Sequence, residues 1–302
     1  YRDTKKEFGK KALTVEQQVK LVEGRGLIAD SQELSQVLER VSYYRISGYF
    51  WWFYSDSGSP HEFEDGTKLS DVMSLYDFDR VLRILVMQLA EIIEVWLRAS
   101  VINAFAYEFG PMGYLNKKNF HNDAAFARDL KKLDEILFAK EREPFIDDFY
   151  NRYTDSRPPI WMAAEVMTFG LLSKWFANIG SKSIQKKISK SVGLPPEVLT
   201  SFLRCFTVMR NVAAHHGRLW NRDTSVGIKT INNPPALLSA PIQGADNRST
   251  YYALVLAVYI SKAIEPDNEV ARQLRDHLLT AEDEWLCEMD FPAGFEDDEI
   301  WT

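Results

Sequence analysis

Residues 70–107 read SDVMSLYDFDRVLRILVMQLAEIIEVWLRASVINAFAY and contain the longest helical pattern of the chain. The apolar side chains that repeat at alternating steps of three and four are Leu75, Phe78, Leu82, Leu85, Leu89, Ile92 and Trp96. This spacing places them along one face of a single long helix, as in a heptad seam. Such a face needs a helical partner, and we expect that partner within the same chain rather than on a second copy.

Helical patterns also occupy most of the chain on either side of this stretch. A capping box begins a helix at Thr14, and a second short helix begins at Ser31. Further helices are predicted over residues 123–140, 144–153, 161–191 with interruptions near Gly170 and Gly180, from Pro195-Pro196-Glu197 onward, 251–263 and 268–289. The predicted fold class is all-α, a helical bundle with additional N-terminal helices.

Two loops are predicted, at residues 58–66 and 222–248. The second is rich in Pro and Gly, and long loops of this kind are often functional. Neither resembles a linker between domains, so we predict one domain over residues 1–302.

The charge of the chain is unevenly distributed. The net charge is -7, but residues 276–302 hold 10 acidic residues and no Lys or Arg, and without them 36 basic residues face 33 acidic ones, a net of +3. We expect this acidic tail to be a solvated end. The alternative is a tail that covers a basic surface around residues 210–222 or discourages non-specific binding of RNA.

Several classes of protein are excluded by what the sequence lacks. Cys205 and Cys287 are the two cysteines and form no CxxC pair, which favours a reduced, cytoplasmic location. The longest uncharged apolar stretch, residues 249–261, is too short to cross a membrane, and no signal-peptide core follows the basic start. We see no metal-ligand spacing, no phosphate-binding glycine loop and no GxSxG elbow, so we predict no metal and no cofactor.

Residues suited to metal-independent RNA cleavage are concentrated in one short run. The cationic, imidazole and amide side chains of this run are Arg210, Asn211, His215, His216, Arg218, Asn221 and Arg222. Imidazole can accept or donate a proton near neutral pH, and guanidinium offers forked donors to phosphate oxygens. From spacing alone, a structural role at a helix end is an equally good interpretation, because cations also stabilise the last carbonyls of a helix.

The spacing between Arg210 and His215 does not bring their side chains together on a regular helix. On a straight helix, residues five apart point about 140° away from each other. Arg210 and His215 therefore do not meet on one regular helix. Either the helix ends near Ala214, with Gly217 as its terminator, or the two side chains complete a site with a second copy of the chain.

At this point the residues resemble a known family. Arg210-Asn211-Val212-Ala213-Ala214-His215 is similar to the Arg, four to six residues, His signature of the HEPN ribonuclease superfamily. The continuation His216-Gly217-Arg218-Leu219-Trp220-Asn221-Arg222 resembles the AbiD/AbiF branch of abortive-infection proteins, the Abi-like family. Two other segments support this resemblance, namely residues 43–49 and 159–173.

The resemblance implies an HEPN-type helical bundle, metal-independent endoribonuclease activity by 2'-hydroxyl transesterification, and an anti-phage or toxin role. It also implies a homodimer that pairs the motifs, and regulation by a small non-coding RNA. By position, Arg210 and His215 are the catalytic pair and Asn211 is the polar residue after the Arg. His216, Arg218 and Asn221 are supporting residues of the site.

Other residues are candidate RNA contacts outside the motif. They are Arg222, Tyr44, Arg45 and the cluster Lys182, Lys186, Lys187 and Lys190. For most of the aromatic block at residues 43–54 we expect core packing, and a solvated helix face explains the lysines equally well.

Two functions compete with catalysis: a non-catalytic RNA-binding module that uses the same Arg and His surface, and a protein scaffold built on the heptad seam. Glu94 and Arg98, four apart on the long helix, form an ordinary surface pair unless they face the active centre.

Overall fold

A computed structural model describes residues 9–55, 61–222, 224 and 226–302. The chain divides into two compact units, one ending at Arg80 and the other beginning at Val81, so that the boundary falls inside the longest helix. Of the predicted loop at residues 58–66, residues 58–60 lie outside the described part of the chain. The single domain over residues 1–302 stays a prediction.

In the part that the structure describes, the first unit contains three short helices, which are the additional N-terminal helices expected from the sequence. They are α1 (Val15–Glu23), α2 (Ser31–Val41) and α3 (Tyr43–Phe50), followed by a 3-10 turn at Trp51–Phe53. The predicted capping box is confirmed, because the Thr14 side chain accepts a hydrogen bond from the backbone of Gln17 and the Gln17 side chain accepts one from the backbone of Thr14. Helix α2 begins at Ser31 as predicted, capped by Asp30.

The long helix α4 (Leu69–Phe109) confirms the pattern from which its prediction was made. Six of the seven seam residues, Leu75, Phe78, Leu82, Leu85, Leu89 and Ile92, are buried, and Trp96 is half-buried. The seam is covered within this one chain, as expected.

Among its described residues, the second unit continues through ten further helices. They are α5 (Asp123–Leu137), α6 (Pro144–Arg152), α7 (Ile160–Ala163), α8 (Phe169–Asn178), α9 (Lys182–Ser191), α10 (Pro196–Ala214), α11 (Ala236–Ser239), α12 (Thr250–Ile264), α13 (Val270–Leu278) and α14 (Asp283–Cys287). Among the described residues the β structure is limited to isolated bridges, and the all-α class is confirmed.

Helix α10 is the central element of this unit, because it packs against α8, α9 and α12. Its apolar face includes Phe202 and Phe206, whose rings stack 5.2 Å apart, and α12 is buried along nearly its whole length. Pro196 occupies the first turn, where a proline costs no helical hydrogen bond, and the predicted start at this position is confirmed.

The interruptions predicted near Gly170 and Gly180 are confirmed, but one predicted helix is wrong. The first break falls at residues 164–168, and Gly170 itself lies in the first turn of α8, which Thr168 caps. A Cβ at Gly170 would come within 3.2 Å of the Thr207 side chain on α10, so this glycine allows the two helices to approach closely. The helix predicted over residues 268–289 is two helices, α13 and α14, separated by a turn.

The acidic C-terminal segment is not a solvated end, and that expectation is wrong. The buried side chains of this segment include Trp285, Met289, Phe291, Phe295, Ile300 and Trp301. Its acidic residues alternate with aromatic ones, so counting charge alone overlooked the apolar surface that anchors the segment.

In the part of the chain that the structure describes, none of the helices combines the length and the apolar character needed to span a bilayer.

Candidate active site

Helix α10 ends at Ala214, one residue before His215, and its end has a defined geometry. The backbone N–H of Gly217 donates to the carbonyl of Val212, and that of His216 donates to the carbonyl of Ala213. These two bonds are the pattern of a Schellman motif, which satisfies carbonyls left without partners in the last turn. The expectation that the helix ends near Ala214 is confirmed.

The residue that reverses the chain is His216 rather than Gly217. His216 adopts a left-handed backbone conformation with φ of 56°, at the position where glycine is most common. A non-glycine residue in this region costs about 1 kcal/mol. Glycine suits position 217 for a different reason, because a Cβ there would lie 3.2 Å from a side-chain carbon of Val212.

Arg210 points toward α4, where Glu94 holds it. Its Nη2 donates to Glu94 Oε2 at 3.1 Å, while Glu94 Oε1 accepts from Arg98 Nη2 at 2.8 Å. The Glu94 and Arg98 side chains are only 14% and 15% exposed, and that of Arg210 is 25% exposed. The Glu94–Arg98 pair is therefore not an ordinary surface pair, because one carboxylate bridges two largely buried guanidinium groups.

The contacts around Glu94 leave some N–H donors of the two guanidinium groups without an acceptor in the described part of the chain. Arg98 also donates to the carbonyl of Met167 at 3.0 Å and lies 3.7 Å from the Glu165 carboxylate. The Nε atoms of Arg98 and Arg210 are both buried and find no acceptor among the described residues. A buried donor without an acceptor is uncommon, and an anionic ligand is the kind of partner that would satisfy it.

His215 is exposed, and its side chain makes no hydrogen bond or ion pair with any residue in the described ranges. It follows Arg210 by five positions at the end of the helix, so the two side chains diverge by about 140° around the axis. Asn211 is also exposed, and its Oδ1 accepts from Arg210 Nη1 at 3.2 Å. The structure thus orients Arg210 inward and leaves His215 accessible to solvent.

The continuation of the motif, residues 216–222, packs against the C-terminal segment. Trp220 is fully buried, and its Nε1 donates to the carbonyl of Trp285 at 3.0 Å. The Asn221 side chain donates to Glu288 Oε2 at 2.6 Å. Asn221 is therefore bound to an acidic side chain of this segment, which supports the alternative that the segment covers part of the motif.

Arg218 is half-buried and Arg222 is exposed. Arg83 was not foreseen as part of this region: it is only 5% exposed, and its Nη1 lies 3.4 Å from the carbonyl of Gly217, a long hydrogen bond. A signal for it existed, because Arg83 is a charged residue inside the apolar stretch at residues 81–86.

The remaining candidate RNA contacts are scattered. Lys182 and Lys186 line a groove, whereas Lys187 and Lys190 are exposed outside it. In the first unit, Tyr44 is 90% exposed and Arg45 is half-buried. The core packing expected for the aromatic block holds for its buried members Tyr49 and Phe50, while Tyr43 and Trp52 to Tyr54 are half-buried and Trp51 is 41% exposed.

No three His, Cys, Asp or Glu side chains in the described ranges are grouped closely enough to hold a metal ion.

Comparison with the curated proteins and with the solved structures finds no match. A family model described as "Abi-like protein" matches residues 36–221. The match extends from α2 to Asn221, so it includes Glu94, the lysine cluster on α9 and the whole run from Arg210 to Asn221. It covers more than half of the 302 residues, and the chain therefore belongs to the Abi-like family, whose name refers to abortive infection, a bacterial defence against phages.

Proposed function

We propose that this chain is a metal-independent endoribonuclease of the HEPN type that acts in abortive infection, with Arg210 and His215 as its catalytic pair. The observation that carries the proposal is the geometry at the end of α10. There Glu94 fixes the direction of Arg210, and the Schellman turn presents His215 to solvent. Family membership supplies the link to phage defence.

The proposed reaction is a transesterification within the RNA. A histidine removes the proton of a ribose 2'-hydroxyl, and the 2'-oxygen forms a bond to the adjacent phosphorus. The bond from phosphorus to the 5'-oxygen breaks, and that oxygen leaves with a proton supplied by a second acid. The products are a 2',3'-cyclic phosphate and a 5'-hydroxyl, and no water or metal is consumed.

Arg210 would neutralise the charge that grows on the phosphate oxygens in the transition state. Because Glu94, itself bound by Arg98, orients Arg210 before RNA arrives, little reorganisation is needed during the reaction. Arg218 is a second candidate for the same phosphate, and Asn211 and His216 are supporting residues.

The reaction needs an acid and a base, and one chain presents Arg210 and His215 in different directions. We therefore propose a homodimer in which Arg210 of one copy acts with His215 of the other. An exposed apolar side chain next to Glu94 in the sequence supports a contact there, since Val95 is 54% exposed. A small non-coding RNA is a further proposed partner, as regulator rather than substrate.

Mixing two inactive variants tests the composite centre. Arg210→Ala and His215→Ala should each be inactive alone, whereas their mixed dimers should contain one intact centre out of two. Random pairing makes half of the dimers mixed, so we expect about one quarter of the wild-type cleavage rate. Two active centres built within single chains would give no recovery on mixing.

The activity itself is tested by RNA cleavage in EDTA and by growth inhibition on expression. We expect Arg210→Ala and His215→Ala to lose both, by at least about 100-fold in rate. His121→Ala and Arg272→Ala are the matched controls, because each removes an exposed side chain of the same type that is far from the motif in the sequence. Cleavage lost on chelation would implicate a metal, and tight RNA binding without cleavage would favour the non-catalytic RNA-binding module.

A further inference from the structure

A basic groove lies in the second unit, lined by α5, α8, α9, α10 and residues 226–229. It encloses about 1180 Å³ and opens to solvent. The cations that line it and form no ion pair with any described residue are Lys132, Lys174, Lys182, Lys186, Arg204 and Lys229. All six are exposed.

The carboxylates of the groove do not balance these cations. Asp129 is buried and is held by two hydrogen bonds from Arg128, at 3.0 and 3.2 Å, so its charge is already compensated. Glu197 is the remaining carboxylate among the lining residues. The groove is therefore strongly positive in a chain whose net charge is -7, and this concentration of charge favours a polyanion.

The other lining residues indicate how the anion is recognised. Ser173 and Thr200 offer neutral polar groups, whereas the side chains of Asn178, Gln185 and Ser201 are already hydrogen-bonded to the backbone. No aromatic side chain is among the lining residues. Stacking on aromatic rings is the usual way for a protein to hold single-stranded bases. A groove with cations but no rings is suited to the phosphate backbone rather than to the bases.

The size of the groove also favours an extended chain over a small molecule. Pockets for drug-sized ligands measure roughly 300 to 1,000 Å³. This groove is larger and lined by charges distributed over four helices.

The groove is separate from the candidate active site, although α10 contributes to both. Arg204 precedes Arg210 by six residues, which places it about 9 Å away along the helix axis and about 120° around it. A bound strand in the groove would therefore lie on a different face of α10 from the Arg210–Glu94 pair.

We propose that this groove binds the phosphate backbone of single-stranded RNA and retains it while another part of the RNA is cleaved. The inference rests on the proposed function in one respect, namely that RNA is the ligand. The groove contributes to affinity and does not take part in the chemical step.

The test compares two double variants on the same helix with the same change of charge. Lys182→Gln/Lys186→Gln removes two cations from the groove, and Lys187→Gln/Lys190→Gln removes two exposed cations of α9 that do not line it. The sequence alone made all four lysines candidate RNA contacts, and Lys187 and Lys190 are now excluded from the proposed binding surface because they lie outside the groove. Both double variants are made in the His215→Ala background to prevent cleavage. The probe is a fluorescently labelled single-stranded RNA of mixed sequence, measured by anisotropy over a series of KCl concentrations.

We expect the groove variant to bind at least about tenfold more weakly than its parent and the control to bind like its parent. The slope of log affinity against log salt should become shallower by about 1.4 in the groove variant, because each phosphate contact on a single strand contributes about 0.7. With Arg210 and His215 intact, the groove variant should show a raised KM and an unchanged kcat.

Equal losses in the two double variants would overturn the proposal, because they would show a general electrostatic effect. It would also be overturned if the parent bound no RNA. A groove variant that bound RNA like its parent but lost the parent's binding to a polyglutamate peptide would overturn it as well. The proposed function fails in a different way, through a wild-type protein that binds RNA and never cleaves it. Circular dichroism of each variant verifies its folding.

Discussion

At the scale of single residues, the candidate site depends on one carboxylate with two cationic partners. Glu94 is largely buried between Arg98 and Arg210, and it fixes the direction of a guanidinium that would otherwise be mobile at the end of a helix. The sequence predicted Arg210 and His215 from their chemistry and from family resemblance. It left the role of Glu94 open, because an acid and an arginine four apart on a helix are common on any surface.

Replacing Glu94 by glutamine should separate Arg210 from its counter-charge. We expect RNA cleavage to fall at least about tenfold and the free energy of unfolding to fall by about 2 kcal/mol, because two partly buried guanidinium groups lose their shared anion. Glu91→Gln, on the same helix but exposed, is the control. A Glu94→Gln protein with wild-type cleavage would show that Arg210 needs no orientation by this carboxylate.

His216 combines a strained backbone with a candidate supporting role, and a pair of substitutions separates the two. The free energy of unfolding of His216→Gly should exceed that of His216→Ala by about 0.5 to 1 kcal/mol, because both lose the imidazole and only glycine adopts the left-handed conformation without the steric cost. Thermal or urea unfolding measures this effect, and cleavage assays measure the loss of the imidazole. A His216→Gly protein no more stable than His216→Ala would contradict the account of the helix end.

At the scale of elements, periodic patterns predicted helices well and chain ends poorly. The seam of α4, the capping box at Thr14 and the proline start of α10 each follow from local chemistry, and the structure confirms them. The break expected near Gly170 falls just before it, at residues 164–168, whereas the glycine itself serves the contact between α8 and α10, and no local pattern reveals such a contact. The end of α10 was predicted correctly, but its left-handed residue was not, since the Schellman turn places histidine where glycine was expected.

The C-terminal segment is the element for which charge was most misleading. Trp301, one residue from the end of the printed sequence, is fully buried, and the rings of Phe291 and Phe295 lie 6.3 and 5.6 Å from it. Anchored in this way, the segment brings Glu288 to Asn221 of the motif. The sequence could have indicated this, because four aromatic residues are interspersed among its acids.

Removing the Trp301 side chain tests whether the segment is a structural part of the second unit. Trp301→Ala should lower the free energy of unfolding by about 3 to 5 kcal/mol, since it empties a site filled by a large buried ring. Trp161→Ala removes the same side chain from a position that is 48% exposed and should cost far less. Equal unfolding free energies for these two variants would argue for a loosely attached segment.

At the scale of the whole molecule, the distribution of charge matters more than its sum. An acidic C-terminal segment accounts for the net charge of -7, while cations line a groove on one face of α10 and surround the motif at its end. The helix thereby connects a surface suited to holding RNA with residues suited to cutting it. This arrangement follows from tertiary packing, because the cations of the groove come from helices far apart in the sequence and no local pattern unites them.

The central claim is that Arg210 and His215 direct attack by the 2'-hydroxyl of RNA, and the chemical ends of the products test it most directly. The measurement is end-group analysis of a defined RNA after incubation with the wild-type protein in EDTA, with the His215→Ala protein in parallel. We predict 2',3'-cyclic phosphate and 5'-hydroxyl ends with the wild type, and intact RNA with His215→Ala. Products with 3'-hydroxyl and 5'-phosphate ends, or unchanged cleavage by His215→Ala, would contradict the account.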